Sequence, residues 1–272
     1  MGINNRPVIS NTRINNNFHL NRPRGAAQLP YYPPRYYGYH HGRWGYGAWQ
    51  WGAYPAGAAA TGWLLGMATA SAFRNPYYSG GGGGGGGGTT TVYNYAEPLA
   101  APATYVPEAG TPGAAAPAAP AAPPAATHAF DAARTAFKHG DYPTALKQAD
   151  ATIKLMPDDA VAHEFRALCL FALKRYDEAA GVLYAVLAAG PGWDWQTMSS
   201  LYSSPDAYAH QLKVLESHVS AHANDAAGHF VLGYHYLCLG EAAAAAQQFD
   251  AVVQIQPQDQ VAAALLKSLV KS

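Results

Sequence analysis

Histidines are the residues of this chain best placed to do chemistry. His218 and His222 stand four apart in a run that reads as helix, with His210, His229 and His235 nearby. Two imidazoles one helical turn apart share a face and could hold a zinc ion between them. A metal site needs further ligands, and no carboxylate or cysteine stands at ligand spacing. His163 and Glu164 open the HExxH zinc pattern, but Ala167 occupies the place of its second histidine. The histidines are therefore read as surface or groove residues, with no metal and no cofactor. Nucleophile and phosphate motifs are missing too. There is no Gly-x-Ser-x-Gly, and the nine glycines at 80–88 are not followed by the Lys-Ser/Thr pair of a phosphate loop. Cys169 and Cys238, far apart along the chain and both in apolar helical runs, read as small buried side chains. An enzyme is not expected, and catalytic residues are none.

The elements around these residues divide the chain sharply. The net charge of zero is a cancellation, with +6 over residues 1–100, all arginine on the basic side, and −6 over 101–272. Residues 1–55 open with an asparagine-rich stretch that cannot bury enough apolar surface to offset chain entropy, so disorder is expected. Between 31 and 54 Tyr and Trp dominate, interleaved with Gly, His and Arg. Such composition suits stacking on single-stranded nucleic acid or a membrane interface, and equally a low-complexity segment. No basic cluster and no lysine accompany the aromatics, which disfavours nucleic acid.

Residues 56–73 form the longest uncharged apolar run, dominated by Ala, Gly and Thr. Its length reaches the lower limit for crossing a bilayer, so a membrane-associated helix is one expectation and an isolated helix on a tail the other. The N-terminus has no apolar core of the kind a signal peptide needs, and the compartment stays open between envelope and cytoplasm. Residues 74–125 read as a poly-Gly and Ala/Pro linker.

From 126 to 272 the pattern is helical. The run GDYPTALKQADATIKLMP, 140–157, is echoed by RYDEAAGVLYAVLAAGP, 175–191. Tyr142 answers to Tyr176, Ala145 to Ala179, Ile153 to Leu187 and Pro157 to Pro191, all at one constant spacing. That spacing, about 34 residues, is the period of a helix–turn–helix unit, and these residues resemble the tetratricopeptide repeat family. In the unit at 226–259, Leu232, Gly233, Tyr236, Gly240, Ala245, Phe249 and Pro257 fall where that family has its Leu, Gly, Tyr, Gly, Ala, Phe and Pro. The likeness implies an all-α fold: a helical-hairpin solenoid of about four helix pairs plus a C-terminal capping helix, after a long, mostly disordered N-terminal region. The repeats fall at about 126–159, 160–193, a degenerate 194–225 whose first helix must be short, and 226–259, with 260–272 as the cap. The stretch 160–272 also resembles uncharacterised bacterial repeat proteins with Tyr/Trp/Gly-rich N-terminal regions, which implies a bacterial source and often an envelope location.

The resemblance further implies a scaffold that binds a protein or peptide partner in a concave groove lined by the first helix of each pair. Carried over by register, the groove residues are Phe130, Arg134 and Phe137, then Glu164, Leu168 and Phe171, then Phe230, Tyr234 and Leu237. The other reading packs some of these aromatics against the cap or the third unit. Lys and Asn are missing from the positions that clamp a peptide carboxylate in chaperone-binding members. Trp193 and Trp195, on a turn beside the degenerate unit, read either as an interaction patch or as a plug for the shortened helix.

Overall fold

The computed structural model describes residues 73–78, 93–99, 122–189 and 192–270. The asparagine-rich and aromatic stretches, the run at 56–72 and the glycine run lie outside the described residues. Among the described residues there are nine helices and no strand, and no helix is long and apolar enough to cross a membrane. They form antiparallel pairs: α1 (Pro124–Lys138) with α2 (Tyr142–Leu155), α3 (Ala160–Ala172) with α4 (Tyr176–Ala189), and α7 (Ala226–Leu239) with α8 (Ala242–Ile255). The short α5 (Trp195–Ser200) and longer α6 (Pro205–Ala221) make the degenerate unit, and α9 (Gln260–Val270) covers α8.

Local chemistry sets the ends of these helices. Asp141, Asp159, Asp194, Asp225 and Asp259 each accept the backbone N–H three residues on, and Ser204 does so at the start of α6. Each such cap satisfies a donor that the first turn leaves without a partner. The first helices of the three regular pairs end alike. The N–H of Asp141 reaches Ala136 O, that of Arg175 reaches Leu170 O and that of Glu241 reaches Tyr236 O, all at 2.9 Å. This closure needs a left-handed residue, supplied by Gly140 (φ 77°), Lys174 (φ 60°) and Gly240 (φ 76°). Lysine thus stands where its two counterparts are glycine.

Pairs are held close by small residues. A Cβ on Gly233 would sit 2.9 Å from the Phe249 ring, so α7 and α8 approach at a distance only glycine permits. The stacking order departs from a regular array: α7 packs directly on α4. The degenerate unit is displaced from the stack and lies over the first helices instead. Tyr202 meets the Phe137 ring at 5.1 Å, and Tyr208 lies 5.2 Å from Tyr202. Met198, Leu201, Tyr202 and Tyr208 are all buried there. The short α5 cannot span the width of a pair, so its apolar side chains find cover on the neighbouring face.

Two short segments outside the helices belong to the same core. Residues 74–78 and 93–99, within the stretch read as linker, pack on the helices, as does Phe73. Phe73 and Tyr95 are buried as deeply as the helix core.

Candidate binding face

The nine residues read as groove lie on α1, α3 and α7, and the structure buries seven of them: Phe130, Phe137, Glu164, Leu168, Phe171, Phe230 and Tyr234. Phe130 and Phe137 pack on Phe165, and Phe137 also lies under Tyr202. Phe171 lies 4.0 Å from the His235 ring. Leu237 is partly buried against the core, and Arg134 keeps 20% of its side chain exposed beside Asp131. A shallow cleft of about 330 Å³ remains between α3, α4 and α6, and of the nine Phe171 lines it. Trp193 and Trp195 are half-buried, Trp195 lying 4.9 Å from Tyr208 in the displaced unit.

Glu164 has an internal role. Its Oε1 accepts from the Trp193 N–H at 2.7 Å and from the Tyr234 hydroxyl at 2.6 Å, tying α3 to the turn before α5 and to α7. Its Oε2 is buried with no hydrogen-bond partner. Burial raises this carboxyl to about 8, against the lowering pull of the two donors.

The histidines also have structural partners. His218 meets Asp225 at 2.7 Å, and the His222 ring stacks on it at 4.3 Å. His229 contacts Gln248, and His235 contacts Tyr208. Among the described residues no group of three or more His, Cys, Asp or Glu could hold a metal.

A different face carries extended chain. Asn75, Pro76 and Tyr77 make a tight turn in which Asn75 Oδ1 accepts from the Tyr77 N–H at 3.1 Å. The buried Asn75 amide donates to Tyr95 O at 3.0 Å and to Gly181 O, in the middle of α4, at 2.7 Å. The Tyr77 ring lies 5.9 Å from Tyr184 and 5.2 Å from Phe230, and its hydroxyl donates to Asp259 at the start of α9. Gly181 makes this approach feasible, since a Cβ there would stand 3.3 Å from the Tyr77 carbonyl oxygen.

The second segment lies alongside the first. The Tyr93 hydroxyl donates to Asp150 O at 2.6 Å, and the Leu99 N–H donates to Ala185 O at 3.3 Å. Tyr95 meets His163 Nδ1 at 2.9 Å. His163 Nε2 faces Pro157 O at 2.7 Å, so that nitrogen carries the proton and the Tyr95 hydroxyl donates to Nδ1. Arg166, paired with Asp150 at 2.9 Å, lies over the Tyr93 and Tyr95 rings at 5.4 and 5.9 Å. Sequence reasoning missed this set, namely Asn75, Tyr77, Tyr93, Tyr95, His163, Arg166, Gly181 and Asp259. The available signal was a pair of Asn/Tyr/Pro clusters flanking the glycine run, and a lone glycine inside the alanine-rich α4.

The chain matches the family model of the tetratricopeptide repeat over residues 130–192 and 212–260. The gap in the match, 193–211, holds α5 and the start of α6, the displaced unit. Neither a curated protein nor a solved structure matches the chain significantly.

Proposed function

We propose that this chain, which matches the tetratricopeptide repeat over residues 130–192 and 212–260, is an interaction scaffold that holds an extended protein segment on the face built by α3, α4, α7 and the start of α9. The observation that carries this reading is the docking of residues 73–78 and 93–99 on that face. Asn75 reaches the Gly181 carbonyl on α4, Tyr77 lays a ring against two aromatics and a hydroxyl on a carboxylate, and Tyr95 finds a histidine nitrogen. Side-chain pockets joined to backbone hydrogen bonds are the means by which folded domains recognise extended peptides. The first-helix groove is a poorer candidate, because its aromatics pack on the chain's own helices.

The test uses the full chain with Asn75→Ala and Tyr77→Ala, which weakens its own segment. A labelled peptide of residues 73–99 is titrated in and followed by fluorescence anisotropy. Saturable binding, abolished when Gly181→Leu is added to the same chain, supports the reading. Failure of the peptide to bind the correctly folded double variant overturns it.

A further inference from the structure

Residues 100–121 separate Leu99 from the first described residue before α1. Their covalent reach is at most about 80 Å, while a domain of this size is roughly 40 Å across. A segment so tethered can meet the same face on another molecule. The contacts it would make there are the ones it makes at home: Asn75 on Gly181 O, Tyr77 on Asp259, Tyr95 on His163. An exchange of identical contacts needs no new interface, which is why swapping an element between copies is a low-cost route to a dimer.

The recognition chemistry on this face is narrow. The floor at Gly181 admits a backbone, and the Tyr77 carbonyl lies over it. The ring site, formed by Tyr184 and Phe230 in contact with each other, ends at a buried carboxylate, Asp259, which takes a hydroxyl donor. Beside it, the Gly181 carbonyl accepts from the primary amide, whose other hydrogen bond goes to Tyr95 O within the docked chain itself. An Asn-Pro-Tyr turn satisfies all three. Phenylalanine at this place would leave Oδ2 of the buried carboxylate without its hydroxyl donor.

We infer that Gly181, Tyr184, Phe230 and Asp259 form an Asn-Pro-Tyr-turn site that takes residues 73–99 from a second copy of the chain as well as from its own. This rests on the segment-binding reading above and narrows its occupant to another copy of the same molecule. The segment attached in cis holds the advantage of effective concentration, so exchange in the wild-type chain rises with protein concentration.

Complementation removes the cis competitor. One full-length chain carries Asn75→Ala and Tyr77→Ala and keeps an intact face; the other carries Gly181→Leu and keeps an intact segment. Each alone is expected to run as a monomer by light scattering, and an equimolar mixture is expected to give a species of twice the mass containing both chains. If the mixture stays monomeric while the free peptide of residues 73–99 binds the first variant, the segment-binding reading stands and the second-copy inference is overturned. If neither the peptide nor the second variant binds, both fall. Should Gly181→Leu fail to fold, as read from its helical circular dichroism, a concentration series of the wild-type chain decides. A dimer share that grows with concentration and is lost in Asn75→Ala/Tyr77→Ala supports the inference, and a single-chain mass throughout overturns it.

Discussion

The Tyr77 hydroxyl donates a 2.7 Å hydrogen bond to Oδ2 of Asp259, joining positions 182 residues apart. Asp259 meanwhile caps α9 through the Ala262 N–H, also at 2.7 Å, and burial raises its carboxyl to about 6. One buried carboxylate thus fastens the N-terminal segment to the start of the last helix. Tyr184 and Phe230 hold the same ring from α4 and α7, so the segment bridges three elements of the array.

Removing the hydroxyl alone with Tyr77→Phe deprives a buried acceptor of its donor and should cost about 1–3 kcal/mol. Tyr77→Ala also removes the ring and should cost about 3–5 kcal/mol. Urea unfolding of the full chain at pH 7 measures both. An alanine variant within about 0.5 kcal/mol of wild type would mean that the segment contributes nothing to the folded array.

Lys174 offers a gain in stability. It holds φ 60° where Gly140 and Gly240 hold 77° and 76° in the same turn. Placing a side chain in the left-handed region costs roughly 1–2 kcal/mol. Lysine is largely solvent-facing at this position, and its N–H bond to Phe171 O does not involve the side chain. Lys174→Gly should therefore raise stability by about 1 kcal/mol, partly offset by the added freedom of the unfolded chain. Thermal denaturation checks it, and an unchanged or lowered midpoint would refute the strain argument.

The repeat register was legible because its determinants are local. Tyr142 and Tyr176, and Pro157 and Pro191 after the second helices, recur at one spacing, and each acts within one turn of its own position. The shortness of α5 was legible for the same reason, since Ser203, Ser204 and Pro205 stop one helix and start the next. Its displacement was not, because it depends on Tyr202 finding Phe137, two helix pairs earlier in the chain, a matter of three-dimensional fit. Register counting put Phe137 and Phe171 on first helices without revealing that Tyr202 and His235 pack on them. The docked segments were the least visible feature. Tyr95 and His163 are 68 residues apart, Asn75 and Gly181 106, and no periodicity encodes such pairs. Their low-complexity surroundings pointed toward linker.

Glu164 should make the fold weaker in alkali. Its carboxyl is raised to about 8 in the folded chain, from an ordinary value near 4.5, because burial penalises the charge. The folded state therefore retains a proton that the unfolded state releases, and stability falls as pH rises from 4.5 through 8. The slope from this group is about 1.4 kcal/mol per pH unit. Glu164→Gln keeps an oxygen for the Trp193 N–H and the Tyr234 hydroxyl and has no proton to lose. Between pH 6 and 8 the variant should gain on wild type in urea unfolding, and parallel curves would show that Glu164 is not the titrating group.

His163 has the opposite sign. Burial first, then the neighbouring Arg166 charge, lower its imidazole to about 4, from an ordinary 6.5. Its contribution is complete above pH 6.5 and is lost as pH falls from 6.5 through 4, again by about 1.4 kcal/mol per pH unit. Protonation also removes the Nδ1 lone pair that accepts the Tyr95 hydroxyl, so acid acts first on residues 93–99. Asp259 and Glu164 hold protons in the folded chain that the unfolded chain releases over an overlapping range, which favours the fold in acid, so the wild-type curve alone mixes both signs. His163→Gln isolates the contribution of the histidine. The variant should be less stable at pH 7, and its deficit should shrink steadily between pH 6.5 and 4. Amide hydrogen exchange adds a second readout: in wild type, protection of the Leu99 N–H should fall in acid before protection within α4 does. A constant deficit across that range, or simultaneous loss of protection at both places, would remove His163 from the account.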